Sequence, residues 1–570
     1  MVNYAKHVSR KVTPQSEKAA PKQKKNNAGG YTFKIDDWAR LDRFLVLGSE
    51  GGTYYCSENK LTKQNAKCVG RLLNKDVKSG LKVVEKVVEI SQAGRAPKND
   101  QAIFVLALAA SCDSDEVRKV ALEALPKVCR MGTHRFQFAA MVNELRGWGR
   151  GLRNAFANCF NSMPVDKLAY QLVKYQQRDG WSNRDLLRLC HAGKTAPTAE
   201  HQAAYRWVVA GADGLGKRAV KRRKSDKSET VVNYDAVGEL PRLIQAYEEL
   251  KGLKDVKRVE EMIREYRFTH EMVPTQFKNS PAVWEALLEN MPITAMIRNL
   301  GKMTNVGIIK PLSQASRKIA DTLGNVEILK KGRVHPLSVL TALKIYQRGC
   351  GIKGSLAWTP DRKVVDALDS AFYLAFDAIV PTGKNILLAL DVSGSMGSPI
   401  ANSPLSCRDA SAALAMVTAR SEKNYHFIGF TGGSHSWYGG TLDQQISNVS
   451  SLDISAKQRL DDVVRTISGL PFGGTDCALP MLWAEKKKVD VDAFVVLTDN
   501  ETWETWAGSI HPHQALTQYR NRMDKPDAKC IVVGMTASKF SIANPDDPGM
   551  LDIVGFNTAA PAVMADFIRQ

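Results

Sequence analysis

Four short apolar runs in the last third of the chain constrain its fold most strongly. Stretches with helical periodicity separate these runs, which are NILLALDV (385–392), YHFIGF (425–430), DAFVVLTDN (492–500) and KCIVVGM (529–535). Alternation of buried strands with helices predicts a doubly wound parallel sheet that is covered on both faces. In that architecture ligands bind beyond the carboxyl ends of the strands. Asp391 and Asp499 fall at two such ends.

Hard oxygen donors gather at these strand ends. Asp391, Ser393 and Ser395 form an Asp-x-Ser-x-Ser element, and Thr475 follows two glycines in GGTDCALP. Alternate residues of an extended segment project the same way, so the first three oxygens can converge. With Asp499 the set has two carboxylates and three hydroxyls, which suits Mg²⁺. The alternative is a turn whose serines cap the next helix; Thr475 and Asp499 favour the metal site.

These elements together resemble the metal-ion-dependent adhesion site of von Willebrand factor type A domains. The Asp-x-Ser-x-Ser element, the Gly-Gly-Thr-Asp element and the strand-end Asp-Asn pair occur in that order. The resemblance implies that residues 381–570 form a Rossmann-like α/β A domain. We predict a site for recognition without catalysis, because no base or nucleophile is poised beside these oxygens.

The region from about residue 36 to 380 is a succession of helical patterns. NDQAIFVLALAASC (99–112) is apolar nearly all round and predicts a buried helix. DSDEVRKVALEALPKVCR (113–130) begins with capping residues and predicts a second helix. Its expected core face contains Val117, Val120, Ala121, Leu125 and Val128. Paired helices of similar length predict an α-solenoid, although no strict repeat period is present.

Charge divides the chain into two unequal parts. The formal net charge is +20, yet residues 381–570 contain 16 Lys and Arg against 20 Asp and Glu, and residues 1–380 contain 63 against 39. A cationic helical region predicts a polyanion partner, with nucleic acid first, whereas solubility alone is the alternative. The segment KRAVKRRK, Lys217–Lys224, is a solvated loop or a nucleic-acid arm.

Targeting and redox signals indicate a cytoplasmic protein. Residues 1–30 are basic, lack the apolar core of a secretory signal and predict a flexible tail. No apolar run is long enough to span a bilayer. The ten cysteines include no Cys-x-x-Cys pair, which predicts reduced thiols and argues against a zinc site or a disulfide framework.

Four helical stretches extend the resemblance to nearly the whole chain. They are YTFKIDDWARLDRFLVLGSEGGTYY, KYQQRDGWSNRDLLRLCH, NSPAVWEALLENMPITAMIRNLGKMT and VHPLSVLTALKIYQRG. With the A domain appended, they resemble the Ro autoantigen family, and more narrowly its bacterial Rsr-type members, over roughly residues 31–570. The resemblance implies that residues 31–380 form a TROVE module, in which HEAT-like helices curl into a ring that the A domain closes. A ring closed within one chain favours a monomer.

The same resemblance implies an RNA-binding protein without enzymatic activity. In the family, small structured Y RNAs bind the outer basic face, and misfolded RNAs pass a single-stranded 3′ end into the central hole. Bacterial members work in RNA quality control with exoribonucleases such as polynucleotide phosphorylase. Two other hypotheses stay open: a Mg²⁺-dependent protein-interaction scaffold centred on the A domain, and a Mg²⁺-dependent nuclease.

Seven residues are carried over as RNA-binding candidates. Lys174 and Arg178 correspond to basic residues used for RNA, and His191 corresponds to a residue that contacts Y RNA. On one helix, Lys174 and Arg178 would share a face because they are four residues apart. The alternative is a solvated helix face and a capping histidine.

The other four candidates match segments near the hole of the family. Thr133 and His134 lie in RMGTHRF, and Arg150 and Arg153 lie in GWGRGLRNAF. A helix start preceded by glycine offers backbone N–H groups to a phosphate. Structural salt bridges made by the two arginines are the alternative.

Overall fold

The computed structural model describes Tyr4 and residues 12–212, 218–222, 229–233, 238–352, 354–376, 379–400, 403–432, 441–470, 473–504 and 509–570. In these residues a mainly helical region precedes an α/β domain. Residues 217, 223 and 224 of the basic segment Lys217–Lys224 lie outside the described residues. Its part Arg218–Arg222 is described as backbone only, as strand β5, which pairs with strand β6 (Glu229–Asn233).

Stacked helices form most of the chain before residue 376. Two strands of a short hairpin, β3 (Gln177–Arg178) and β4 (Trp181–Ser182), interrupt them. The helices are α1 Asp37–Leu47, α2 Glu58–Lys75, α3 Val77–Ala93, α4 Asp100–Ala109, α5 Asp115–Glu123, α6 Leu125–Val128, α7 Gly132–Leu145, α8 Arg150–Asn161, α9 Val165–Lys174, α10 Asn183–Cys190, α11 Ala199–Ala210, α12 Arg242–Gly252, α13 Val256–Tyr266, α14 Pro281–Glu289, α15 Ile293–Asn305, α16 Gln314–Leu323, α17 Val326–Lys331, α18 Pro336–Arg348 and α19 Arg362–Leu374.

The two helices predicted from local patterns differ in outcome. Helix α4 is buried as expected, and Ser114 caps α5 by accepting a hydrogen bond from the Val117 N–H at 3.3 Å. The second predicted helix is split into α5 and α6, because Pro126 lacks an N–H and its ring crowds the preceding turn. One expected core residue, Val120, is 36% exposed.

A six-stranded sheet forms the centre of the C-terminal domain, as predicted. Its order is β13-β11-β10-β7-β8-β9, and the pairs are parallel except β8 with the edge strand β9, so the sheet is mixed. The sequence patterns did not predict β9 and β13. The elements of this domain are β7 Ile386–Asp391, α20 Cys407–Ser421, β8 Tyr425–Phe430, α21 Leu442–Ile446, β9 Val449–Leu452, α22 Leu460–Ser468, α23 Leu479–Lys486, β10 Ala493–Thr498, α24 Pro512–Arg522, β11 Lys529–Gly534, β12 Phe540–Ser541, β13 Met550–Val554 and α25 Ala560–Arg569.

Both faces of the central sheet are buried. Leu388 and Leu390 of β7 point into the core that contains α20 and α22, whereas Leu387 and Ala389 point into the core that contains α23 and α24. Successive side chains of a strand face opposite ways, so the all-apolar run in β7 needs helices on both sides. The first core continues into the helical region without a break.

Residues 12–35 are not a flexible tail, which corrects the prediction for that part of residues 1–30. They form β1 (Gln23–Lys25) and β2 (Tyr31–Lys34), which make a three-stranded sheet with β12 of the A domain. We call residues 12–35 the N-terminal strap. Composition alone indicated a flexible tail. It could not show the partners that order this strap, because they lie almost 500 residues away along the chain, as with Gln15 and Ile510.

Both ends of the helical series lie on the A domain and meet each other. Helix α1 packs beside β13, and the Lys344 ammonium of α18 pairs with Asp409 of α20. The Arg333 Nε, just before α18, donates to the Gln92 carbonyl of α3 at 2.7 Å. The helices therefore close on themselves, as the ring prediction requires, while the central hole stays a prediction.

One buried cation fastens α1 to the A domain. The Arg43 side chain is fully buried and donates to the Phe540 carbonyl at 2.7 Å and to the Asp552 carboxylate. Gly534 of β11 has no side chain, and a Cβ there would lie 2.8 Å from the Arg43 guanidinium carbon. The small residue at position 534 thus makes room for this contact.

We expect Arg43→Ala to destabilise the protein by about 3–5 kcal/mol, because it leaves a mostly buried carboxylate without its cation. The measurement is chemical denaturation of the full chain. Arg71→Ala is the control, since the exposed Arg71–Asp37 pair should contribute less than about 1 kcal/mol. Equal losses in the two variants would contradict this prediction.

Candidate functional site: an oxygen-lined pocket and an arginine pocket

The first candidate site lies at the carboxyl edge of the central sheet. Asp391 is the last residue of β7, and Asp499 follows the neighbouring parallel strand β10 directly. Parallel pairing therefore brings the two carboxylates to the same edge. Both residues are 1% exposed or less.

Hydrogen bonds hold the three predicted segments together at this edge. The Asp391 carboxylate accepts from the Ser393 N–H at 2.9 Å and from the Thr498 hydroxyl at 2.6 Å. The hydroxyls of Ser393 and Ser395 lie 3.2 Å apart. The Gly394 N–H donates to the Gly473 carbonyl at 3.2 Å, which joins the serine turn to the loop that carries Thr475.

Thr475 is joined in turn to the Asp499 segment, since the Trp503 N–H donates to the Thr475 carbonyl at 2.9 Å. Ser393, Ser395 and Thr475 are each at most 4% exposed. The five residues predicted as metal ligands thus lie in one buried cluster, although they come from three separate segments.

The two buried carboxylates of the cluster repel each other and would be stabilised by a positive charge. Burial and the charges of Asp391 and Glu501 raise the pKa of Asp499 to about 8, and burial raises the pKa of Asp391. The Asp499 Oδ2 atom is buried and has no hydrogen-bond partner among the described residues. An orphaned carboxylate oxygen beside a second carboxylate and several hydroxyls suits a hard divalent cation such as Mg²⁺.

A zinc-type cluster is absent from the part of the chain that the structure describes, where no three His, Cys, Asp and Glu residues are grouped to hold a metal. Buried thiols also carry raised pKa values, for example Cys190 at about 11 because of burial. The donors of the oxygen-lined pocket are oxygen atoms only, which suit a hard cation such as Mg²⁺ better than zinc.

The second candidate site is a surface pocket in the helical region, which we call the arginine pocket. It has a volume of about 330 Å³ and is lined by Trp148, Gly149, Arg150, Arg153, Arg188, Leu189 and His191. The pocket brings together members of two separately predicted groups, because Arg150 and Arg153 lie with His191. Thr133 and His134 lie elsewhere, in the first turn of α7. The length of that helix, roughly 20 Å, separates them along the chain from Arg150 and Arg153.

Three guanidinium groups face the arginine pocket without acidic partners. Arg150, Arg153 and Arg188 form no ion pair with any residue of the described segments, so the structural salt bridges considered for Arg150 and Arg153 do not form there. The first turn of α8 begins at this pocket after Gly149, and no side chain caps it. Free N–H groups and three cations together are the donors that suit an anion.

Aromatic stacking fixes the floor of the pocket. The Trp148 ring stacks between Phe156 and Trp181 at centroid distances of 5.4 and 5.9 Å, and its Nε1 donates to the Leu189 carbonyl at 3.2 Å. His191 ends α10 in the left-handed conformation, with a φ of 56°, and its side chain is exposed. Sequence analysis missed Arg188 and Trp148; the available signal was a basic residue one turn before His191.

Lys174 and Arg178 do not share a helix face, which corrects the premise for this pair. Helix α9 ends at Lys174, and Arg178 lies on the β3–β4 hairpin, where it pairs with Trp181. Gly180, with a φ of 79°, makes the turn of this hairpin. The four-residue spacing therefore does not imply a common helical face.

The two side chains also differ in exposure. The Lys174 ammonium is mostly buried, 3.2 Å from the Tyr170 hydroxyl and 3.6 Å from Glu271. Burial lowers the pKa of Lys174, but Tyr175, Tyr170 and Glu271 together outweigh it, so the pKa is raised overall. Arg178 has a 53% exposed side chain and only the exposed Asp179 beside it, so it remains accessible to a ligand.

His134 is held as a neutral imidazole. Its Nδ1 lies 3.4 Å from the Asn99 amide nitrogen, and burial together with the charge of Arg130 lowers its pKa to about 4. His134 therefore offers hydrogen bonding without charge at neutral pH.

The depressed pKa of His134 predicts acid sensitivity. The unfolded imidazole binds a proton below about pH 6.5, whereas the folded one does so only below about pH 4, so stability is complete above pH 6.5 and declines as the pH falls to 4. Between pH 7 and pH 5 we expect His134→Gln to lose about 2 kcal/mol less than the wild type. Denaturation at the two pH values measures this, with the exposed His426→Gln as control. Identical pH slopes in wild type and His134→Gln would contradict it.

Comparisons with known proteins agree with both domains. A family model described as "TROVE domain" matches residues 24–345, and one described as "Ro60 vWA domain" matches residues 385–568. The relative "RNA-binding protein RO60" of Deinococcus radiodurans is 38% identical over 573 residues, covering 100% of this chain and 99% of the relative. The protein of the same description from Caenorhabditis elegans is 35% identical over 619 residues, covering 98% and 92%.

A solved structure gives the same result. "Crystal structure of Deinococcus radiodurans RO (RSR) protein" matches with a TM-score of 0.65 at 37% identity, covering 94% of this chain and 99% of that chain. Fold and sites define a protein in which a helical TROVE region is joined to a von Willebrand factor A domain. The chain belongs to the Ro60 family. In the described residues, no helix is both long and apolar enough to cross a bilayer.

Proposed function

We propose that this protein binds RNA through the cationic surface of its helical region. The observation that carries the proposal is the arginine pocket, where Arg150, Arg153 and Arg188 converge without acidic partners in the described part of the chain. Guanidinium groups bind phosphate oxygens bidentately, and the free N–H groups at the start of α8 add donors. The two relatives described as RNA-binding proteins support the same function.

The ligands of this surface are, in our proposal, small structured noncoding RNAs of the Y RNA type. His191 and Arg178 are exposed near the arginine pocket and supply further donors, and Trp181 offers a partly exposed ring for base stacking. Misfolded RNAs would bind by a single-stranded 3′ end at the central hole, with Thr133 and His134 beside it. The protein then acts in cytoplasmic RNA quality control as a non-catalytic monomer and adaptor for an exoribonuclease such as polynucleotide phosphorylase.

Replacing the three pocket arginines tests phosphate binding. We expect Arg150→Ala/Arg153→Ala/Arg188→Ala to weaken binding of a structured small RNA. The slope of log affinity against log salt should fall in magnitude by about two to three, because about one counterion fewer is released on binding for each phosphate contact that is lost. Filter-binding titrations at several salt concentrations provide the measurement.

The matched control removes an arginine whose charge is already paired. Arg264 lies in the same region, and its Nε is 2.8 Å from Glu289. Arg264→Ala should leave the salt slope within about one of the wild-type value. The proposal fails if the triple variant binds RNA with unchanged affinity and slope. Cleavage of end-labelled RNA by the purified protein with Mg²⁺ would instead support the nuclease hypothesis.

We also propose that the oxygen-lined pocket binds Mg²⁺. Asp391, Ser393, Ser395, Thr475 and Asp499 would hold the ion, and the unpartnered Asp499 Oδ2 supports this. A bound ion would supply Lewis-acidic chemistry toward an acidic group of a partner. Around it, this chain excludes bulk water and fixes the carboxylates through the Thr498 and Ser393 hydrogen bonds.

Asp391→Ala separates the two proposed activities. We expect it to abolish Mg²⁺ binding in calorimetry and capture of a carboxylate-bearing protein partner, because one of two carboxylates is lost. RNA affinity should stay within about twofold of wild type, since the cation pocket and the arginine pocket lie in different domains. Loss of RNA binding by a variant with wild-type circular dichroism would overturn this division.

A further inference from the structure

The N-terminal strap makes its most concentrated polar contacts beside the oxygen-lined pocket. These contacts fall on two loops of the A domain, the one that carries Thr475 and the one that follows Asp499. The strap is also anchored elsewhere, through the pairing of β2 with β12.

Gln15 ties the two loops to each other. Its Nε2 donates to the Asp476 carboxylate at 2.7 Å and to the Ile510 carbonyl at 2.9 Å, and its Oε1 accepts from the Thr502 hydroxyl at 2.8 Å. The Gln15 side chain is completely buried. Asp476 follows Thr475 directly, so one amide of the strap adds a further link between the threonine loop and the Asp499 loop, which also bond each other directly.

Glu501 receives three donors from the strap. The Asn27 N–H and the Asn27 Nδ2 donate to its two carboxylate oxygens at 2.7 and 2.6 Å, and the Ala28 N–H donates at 3.2 Å. The Asn26 Nδ2 adds a bond to the Thr502 carbonyl at 2.7 Å. Glu501 is 2% exposed and lies two residues beyond Asp499.

These bonds decide where a third carboxylate points. If the strap stays in place but loses these donors, the Glu501 carboxylate remains buried with fewer partners, which is costly. Lys539 already lies close enough to lower the pKa of Glu501, and a cation held beside Asp391 and Asp499 would be a second positive partner for it. Glu501 would then compete with any acidic group that comes from a partner molecule.

We propose that the N-terminal strap is a positioning part of the cation site: it fixes the threonine loop against the Asp499 loop and holds the Glu501 carboxylate away from the ion, so that one coordination position stays open to a partner. This inference rests on the Mg²⁺ binding proposed above. Outer hydrogen-bonding partners of metal sites change cation affinity by about 10–100-fold when they are replaced.

The strap has separate anchors, so its contact with Glu501 can be changed alone. The His511 Nε2 lies 2.9 Å from the Glu17 carbonyl, and the His511 Nδ1 lies 3.1 Å from the Gln23 amide nitrogen. Together with the β2–β12 pairing, these contacts keep the strap in place in a position-27 variant.

The experiment titrates Mg²⁺, and Mn²⁺ as a spectroscopic substitute, into full-length variants by calorimetry and electron paramagnetic resonance. Asn27→Asp sets a second carboxylate against Glu501. We expect it to raise cation affinity by about tenfold or more, because the displaced Glu501 carboxylate becomes available to the ion. Asn27→Ala removes one of three donors and should have a smaller effect in the same direction. Lys24→Ala, an exposed change in the same strap, should match the wild type.

A rescue variant separates positioning from general damage. Asn27→Asp/Glu501→Gln exchanges donor and acceptor across the same contact, so it should return cation affinity to within about threefold of wild type. The inference is overturned if folded Asn27→Asp and Asn27→Ala both bind the ions as the wild type does, or if the double variant binds no better than Asn27→Asp. A wild-type protein that binds neither ion overturns the cation site itself, and the inference with it.

Discussion

The buried guanidinium of Arg43 joins the first helix to partners that lie about 500 residues later in the chain, at Phe540 and Asp552. A charge enters a protein interior only where partners compensate its lost hydration. This requirement sets the position of α1 on the A domain and, through the stacked helices, the starting direction of the whole series. The Arg333 contact with Gln92 then joins the last helices to the early ones.

The two candidate sites use opposite electrostatic arrangements. In the arginine pocket, cations are left unpaired at the surface, where a mobile polyanion can neutralise them. In the oxygen-lined pocket, Asp391 and Asp499 are buried side by side, which favours the uptake of a small cation. The charge difference between residues 1–380 and residues 381–570 reflects this division. This division is what the proposed binding of RNA and of a protein partner through separate domains requires.

Local patterns predicted the sheet, because β7 and β10 are continuous apolar runs, and they predicted that Asp391 and Asp499, at or just after the ends of these strands, would share its carboxyl edge. They failed where a local turn or a proline was overlooked and where a remote contact decides the conformation. The β3–β4 hairpin breaks the expected Lys174–Arg178 helix face, Pro126 divides one predicted helix, and the strap is ordered by A-domain partners. Arg188 was missed because a solvated arginine and a ligand-binding arginine have the same sequence signal.

The sequence by itself determined the fold class, the family, the five oxygen donors and the cationic character of the helical region, since these follow from residue type, periodicity and short spacings. Only the tertiary structure decided which arginines share a pocket with His191 and that residues 12–35 belong beside the cation site. The physical reason is that convergence of side chains from distant segments depends on packing and on long-range hydrogen bonds, which no local pattern encodes.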